Sequence, residues 1–241
     1  MPGSTPSEQA APREPRGARR KRRTRDKLLR AAMALMADRG VQGVAINEIT
    51  EAADVGFGSF YNHFESKEAL HEALLEDMLE AFGSALEQIV QSLDDPAEVL
   101  ATSTRCTLRQ ARANPQWGQF LVQNGFAGRL YFAGLAQHVM RDLTRGVELG
   151  RFSVQDPLVA LLQTGGTVIA AISIELAAAQ PDNGVHRDAR ALQLDITGIP
   201  ERTSAAILRT LGVADGEAAE IARRPLPDVE FTPAHLATQG S

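Results

Sequence analysis

The chain has 241 residues, 44% of them apolar, a single cysteine and a formal net charge of −5. That length holds one mid-sized domain, or a small domain fused to a larger one, with enough apolar residues for a sizeable core. The lone thiol, Cys106, excludes an internal disulfide and any cysteine-rich zinc site, and fits a reducing, cytoplasmic setting. Charge is unevenly placed: residues 1–30 sum to +7 and the remainder to −12. A basic end on an acidic body is the pattern of a protein that meets a polyanion at one end only.

In chain order, residues 1–12 are rich in Pro, Ser, Gly and Ala without periodicity, the composition of a disordered leader, and no apolar h-region of a secretory signal is visible. Arg13, Arg16, Arg19, Arg20, Lys21, Arg22 and Arg23 follow. They read either as a solvated charge run or as an arm that lies along phosphates or enters a minor groove. A first helix is expected from Thr24 as N-cap, with Leu28, Ala32 and Leu35 as its apolar stripe and Gly40 as its stop. Residues 46–53 are expected as a second helix, Asp54-Val55 as a tight turn and 56–64 as a third short helix. Ser66 is positioned to cap a long fourth helix, whose stripe Leu70, Leu74, Met78, Phe82, Ala85, Ile89, Leu93 keeps a period near 3.6 until Asp94-Asp95-Pro96.

Helical patterning continues over 99–113, 117–123, 127–148, 158–179, 199–211 and 215–223. Residues 181–196 read as an exposed loop and 225–241, with three prolines, as a flexible tail. The Ala- and Leu-rich apolar set favours helices, and neither a strand pattern nor an internal repeat is present. The stretch 158–179 imitates a membrane span, but it carries Gln163, Thr164, Thr167, Ser173 and Glu175. It is therefore expected to lie within or between soluble subunits, with no membrane partner. The expected fold is all-α. It comprises a disordered basic arm over 1–23, a three-helix unit over 24–70, a larger helical domain over 71–224, and a flexible tail over 225–241.

Three short helices with a tight turn between the second and third make a helix-turn-helix. Ala52 and Ala53 allow close approach, Val55 plugs the turn, and Phe60 and Phe64, four apart, anchor the third helix. The opposite face carries Gly56, Phe57, Gly58, Ser59, Asn62 and His63. Two helix-weakening glycines make sense where the backbone must come close to DNA.

Residues 24–75 resemble the DNA-binding domain of the TetR family of one-component regulators, on the run Phe60-Tyr61-Asn62-His63-Phe64-Glu65-Ser66-Lys67-Glu68-Ala69-Leu70 and the preceding Ile49 to Ser59. Weaker similarity covers Glu148-Leu149-Gly150-Arg151-Phe152 and Arg223-Arg224-Pro225-Leu226-Pro227. By position the resemblance implies phosphate contacts from Tyr61, His63 and Lys67, and base reading by Phe57, Gly58 and Ser59. Phe57 and Ala45 depart from the family pattern. Phe57 reads as a contact to a thymine methyl or as a partly buried ring, and Asn47 either takes over the second helix's cap or reaches a phosphate. Arg20, Lys21, Arg22 and Arg23 complete the candidate DNA-binding set. The resemblance further implies a homodimer built on the helices around 158–176 and 199–211, which places two recognition helices about one DNA turn (~34–36 Å) apart on a palindromic operator.

Cys106, Trp117, Phe120, Asn124, Phe126, Tyr131, Phe132 and His138 gather on the middle helices. They read as candidates for a mostly apolar pocket for a small hydrophobic effector, each equally readable as plain core. The expected function is a ligand-released repressor acting on double-stranded operator DNA. Activation by the same fold and non-specific nucleic-acid binding remain as alternatives. An enzyme is not expected: no phosphate loop, cofactor motif or nucleophile beside a base is visible, and His71-Glu72 has Leu75 where a zinc protease needs its second His.

Overall fold

The computed structural model describes residues 15–124, 135–180 and 184–227, and among them every regular element is an α-helix. In order these are α1 (Arg16–Arg39), α2 (Ile46–Ala52), α3 (Phe57–Phe60), α4 (Lys67–Val90), α5 (Pro96–Ala113), α6 (Pro115–Asn124), α7 (Leu135–Glu148), α8 (Pro157–Ala178), α9 (Val185–Ala191), α10 (Ile199–Thr210) and α11 (Asp215–Ile221). Helices α1–α3 and the start of α4 form the helix-turn-helix end, and α5–α11 the larger body.

Helix starts follow local chemistry. Ser66 Oγ accepts from the Ala69 amide at 3.0 Å, and Asp156 Oδ1 accepts from the Leu158 and Val159 amides at 2.9 and 3.2 Å. Asp95 caps α5 through the Ala97 amide at 2.9 Å, with Pro96 in the first turn. Gly40 (φ 69) ends α1 and Gly150 (φ 65) lies just beyond α7.

Several boundaries differ from the sequence expectation. The first helix begins at Arg16, after Pro15, and not at Thr24. The Thr24 hydroxyl donates to the Arg20 carbonyl at 3.1 Å, so it sits within a helix and caps nothing. Arg, Lys and Ala are good helix formers, and residues 16–23 are helix rather than an irregular arm. Regular structure in α3 stops at Phe60, and Phe64 is held by a bond from its amide to the Phe60 carbonyl at 3.0 Å. Asn47 does not cap α2. Glu48 reaches back to the Ala45 amide at 2.8 Å and pairs with Arg39 at 2.8 Å. Ala53 is buried but Ala52 is exposed. Part of the expected loop at 181–196 is helix α9, started by Gly184 (φ 78) and tied by His186 Nε2 to the Ala178 carbonyl at 2.9 Å. The start of the expected tail is packed: Leu226 lies against the larger core, and buried Arg105 donates to the Arg224 carbonyl at 2.6 Å.

Two apolar clusters hold the molecule together. The larger runs without a break from Leu28, Met33 and Met36 of α1 through Ile49, Phe60 and Phe64 to Leu74, Met78 and Phe82 of α4 and on to Trp117, Phe120 and Ile172. The smaller joins Leu100, Leu143, Phe152, Ile207, Leu208 and Ile221. Polar ties reinforce the junction between the two ends. Gln123 Nε2 donates to the Ala37 carbonyl at 2.8 Å, His71 Nε2 meets Asn124 Oδ1 at 2.9 Å, and Arg25 pairs with Asp77 at 2.6 Å.

In the body, Arg151 forks onto Asp95 (2.8 and 3.0 Å) and reaches Glu217 at 2.7 Å, joining the start of α5 to α11. Burial alone pushes the Asp95 carboxyl up. The Arg151 fork and the Ala97 amide more than offset this and hold it below the usual carboxylate value. A depressed folded value contributes stability that is present above the unfolded pKa, near 4, and is lost as pH falls through the folded one. Arg151→Met is therefore expected to cost about 2 kcal/mol at neutral pH, a fall in Tm of several degrees by thermal denaturation. The gap to the parent should close below about pH 4. A gap unchanged at low pH means that packing, and not this ion pair, carries the loss.

Candidate DNA-reading surface and effector cavity

The helix-turn-helix end presents two features on one side. Phe60 and Phe64 are buried and stack at 5.9 Å, which turns Phe57 and Tyr61 outward; they are 54% and 53% exposed, with their rings edge-to-face at 5.7 Å. Gly56, Gly58 and Asn62 are exposed beside them, and Ser59 and His63 are half-buried. A Cβ at Gly58 would meet no atom of the described chain within 4 Å, and the residue has no positive φ. Neither packing nor backbone strain inside the protein asks for glycine there. Burial and then the charges of Lys21 and Arg25 push the His63 imidazole pKa down. Lys67 Nζ donates to the Val44 carbonyl at 2.9 Å, which uses one of its three donors. Asn47 is exposed on α2.

The second feature was only partly legible. The helical spacing of Arg16, Arg20, Arg23 and Lys27 puts them on one face of α1, with Arg19 beside them. Together with Asp54, Gly56 and Ser59 they line a concavity of about 640 Å³ that opens beside the start of α3. Arg20 and Arg23 of the expected set are in it, and Lys21 and Arg22 are not. Arg16 and Arg19 join once α1 is known to extend this far.

A partly open cavity of about 120 Å³ lies between α4, α5, α6, α7 and α8. Its wall is mostly aliphatic, with Leu75, Leu79, Leu86, Leu121, Val168 and Ile169 among its residues. Polar groups converge at one side. Glu87 Oε1 accepts from Arg141 Nη1 at 2.5 Å and lies 3.2 Å from His138 Nδ1; Arg141 Nε lies 3.5 Å from Asp142 Oδ1. The Arg141 hydrogen bond, ahead of its charge, holds Glu87 low, while burial raises Asp142 despite the same guanidinium.

Of the expected pocket residues, Asn124 and His138 line this cavity. Cys106, Trp117 and Phe120 are core instead. Trp117 packs on Phe82 at 4.8 Å, Phe120 meets His71 at 5.5 Å, and burial pushes the Cys106 thiol up, away from reactivity. Large rings bury the most area in the core, which is why an aromatic cluster pointed to packing more than to a ligand. Phe126, Tyr131 and Phe132 lie outside the described residues. Glu87, Arg141 and Asp142 were missed. The only sequence signal was the spacing of His138, Arg141 and Asp142 on one helical face, and their partner lies on another helix. Among the described residues no group of His, Cys, Asp and Glu is arranged to hold a metal ion.

Two short helices, α2 and α3, joined by the tight turn at Asp54-Val55 and braced by α1, form the helix-turn-helix arrangement of DNA-binding proteins. Residues 28–74 match the family described as bacterial regulatory proteins, tetR family, and residues 95–224 match the tetracyclin repressor-like C-terminal domain. The chain belongs to the TetR family; it is a transcriptional regulator and not an enzyme. Among solved structures it is similar to RolR in complex with resorcinol, at 40% identity and a TM-score of 0.66, covering 88% of this chain and 100% of that one. Among curated proteins it is similar to the repressor KstR2 of Mycolicibacterium smegmatis, 37% identical over 76 residues covering 32% of this chain and 37% of that protein. A second is the regulator TcmR of Streptomyces glaucescens, 34% identical over 109 residues covering 45% and 48%. These matches thus span less than half of the length of either curated relative.

Proposed function

We propose that this regulator is a homodimeric repressor that holds a palindromic operator and is released by a small, uncharged, hydroxylated single-ring aromatic compound. In this reading Phe57, Gly58 and Ser59 meet base edges, with Phe57 against a thymine methyl. Tyr61, Asn62, His63, Lys67 and Asn47 meet phosphates beside them, and the α1 stripe grips the backbone. The dimer forms through α8 and α10. α8 shows Val159, Leu162 and Ile174, 45%, 46% and 41% exposed, along one face, and only 28% of its most apolar window is buried within one chain. An apolar helix left this bare in a protein with an operator to span is suited to a second copy of itself.

The observation that carries the effector class is the cavity. An apolar void of about 150 Å³ takes benzene, so one of about 120 Å³ is a single-ring site. Its polar side offers two carboxyl groups that share one guanidinium, a setting for hydroxyl groups and not for another carboxylate. The likeness to a resorcinol-bound structure supports the same class. Binding would favour a pose whose recognition helices no longer match the operator spacing.

A competition gel-shift with the DNA upstream of its own gene tests this. Retention of that DNA over unrelated duplex, and release by resorcinol, is the expected result. Equal affinity for every duplex would leave only a non-specific binder, and stimulated transcription in a purified system would make it an activator. Benzoate, which puts a carboxylate against Glu87, is expected to bind at least about tenfold more weakly than resorcinol. Isothermal titration calorimetry on the full chain provides the binding signal. Equal affinities would contradict the hydroxyl assignment.

A further inference from the structure

We infer that His138, laid across Gly83 and fastened to Glu87, sets the ring size that the cavity admits; the inference rests on the effector reading above. Gly83 lies in the interior of α4, where its φ is not positive and glycine weakens the helix. What requires glycine is contact. A Cβ there would lie 2.7 Å from His138 Nε2 and 3.2 Å from its Cδ2, too close to coexist with the ring. On its other edge the imidazole Nδ1 is 3.2 Å from Glu87 Oε1. Gly83 and Glu87 are one helical turn apart on the same face of α4, so the imidazole bridges them. All three residues line the cavity.

The aliphatic part of the wall is packed: Leu75, Leu121 and Ile169 belong to the larger core and are at most 8% exposed. The His138 side chain is 32% exposed, and with Glu87 and Arg141 at 46% and 55% it belongs to the side of the cavity that reaches solvent. Deleting it enlarges the cavity without opening a hole in the packed interior. A glycine that provides the seat, a carboxylate that provides the latch and a planar ring between them make a fixed stop on the polar side of the cavity, beside the hydroxyl groups of a bound ring. A second fused ring would overlap that stop.

The test uses the full chain, isothermal titration calorimetry and two probes, resorcinol and a dihydroxynaphthalene. The parent is expected to bind resorcinol in preference to the two-ring diol. His138→Ala is expected to shift the ratio of the two affinities towards the larger probe by about tenfold or more, the scale on which pocket volume discriminates. Gly83→Ala is expected to weaken resorcinol binding by a similar factor, because the added methyl dislodges the ring from its seat. The double variant should behave like His138→Ala, since the methyl then has nothing to strike. An unchanged ratio in His138→Ala, or a double variant as weak as Gly83→Ala, overturns the inference alone. Failure of the parent to bind any phenol overturns the effector reading and this inference with it.

Discussion

Replacing Arg16, Arg19, Arg20 and Arg23 together by glutamine is expected to cut the salt dependence of operator binding by roughly three to four units of slope per protomer, at about 0.9 for each phosphate contact. Affinity at physiological salt should fall by about a thousandfold for each protomer on the same basis. The four side chains are exposed and stand over the concavity beside α3, so they are lost without disturbing a core. Glutamine has nearly the helix propensity of arginine, so α1 should keep its length by circular dichroism. Contacts to phosphate carry little sequence information, and the order of preference among operator variants should survive. A slope equal to the parent's would mean that the stripe faces away from DNA. A changed sequence preference would mean that it enters a groove and reads base edges.

The second large effect is expected from Leu162→Asp combined with Ile174→Asp. Both side chains are open in the single chain, at 46% and 41%, so two aspartates there leave each subunit folded. In a dimer paired through α8 they place charges in a closed apolar seam, which costs several kcal/mol for each unpaired ion. Light scattering should report a monomer. Operator affinity should fall by about a hundredfold or more, because two half-sites bound by separate chains lose the advantage of linkage. A dimer of parental mass would place the interface elsewhere.

How much of this was readable without a structure depended on how local each feature is. The stripe of α4 from Leu70 to Ile89, the Ser66 cap and the paired Phe60 and Phe64 depend on neighbours within a few positions and appear where the spacing put them, whereas α4 ends at Val90, short of Leu93. The start of α1 was misread because seven like charges looked incompatible with a helix, whereas their propensities and Pro15 favour one. The cavity's polar side was illegible for a different reason. Glu87 is 54 positions from Arg141, and no periodicity connects them. Of the aromatic cluster visible in one dimension, Trp117 and Phe120 turned out to fill the core, fully enclosed.

The unbroken length of α1 has a mechanical meaning. Its Ala37 end is tied to Gln123, one residue from the cavity wall at Asn124, and its Arg16 end lies beside the recognition segment. At 1.5 Å per residue these ends are about 30 Å apart, so a tilt of some 5° about the tied end swings the arginines by roughly 3 Å. In the reading proposed above the helix would serve as a lever arm: a shift at the effector site too small to repack the core would be multiplied, by length alone, into a misfit at the phosphates.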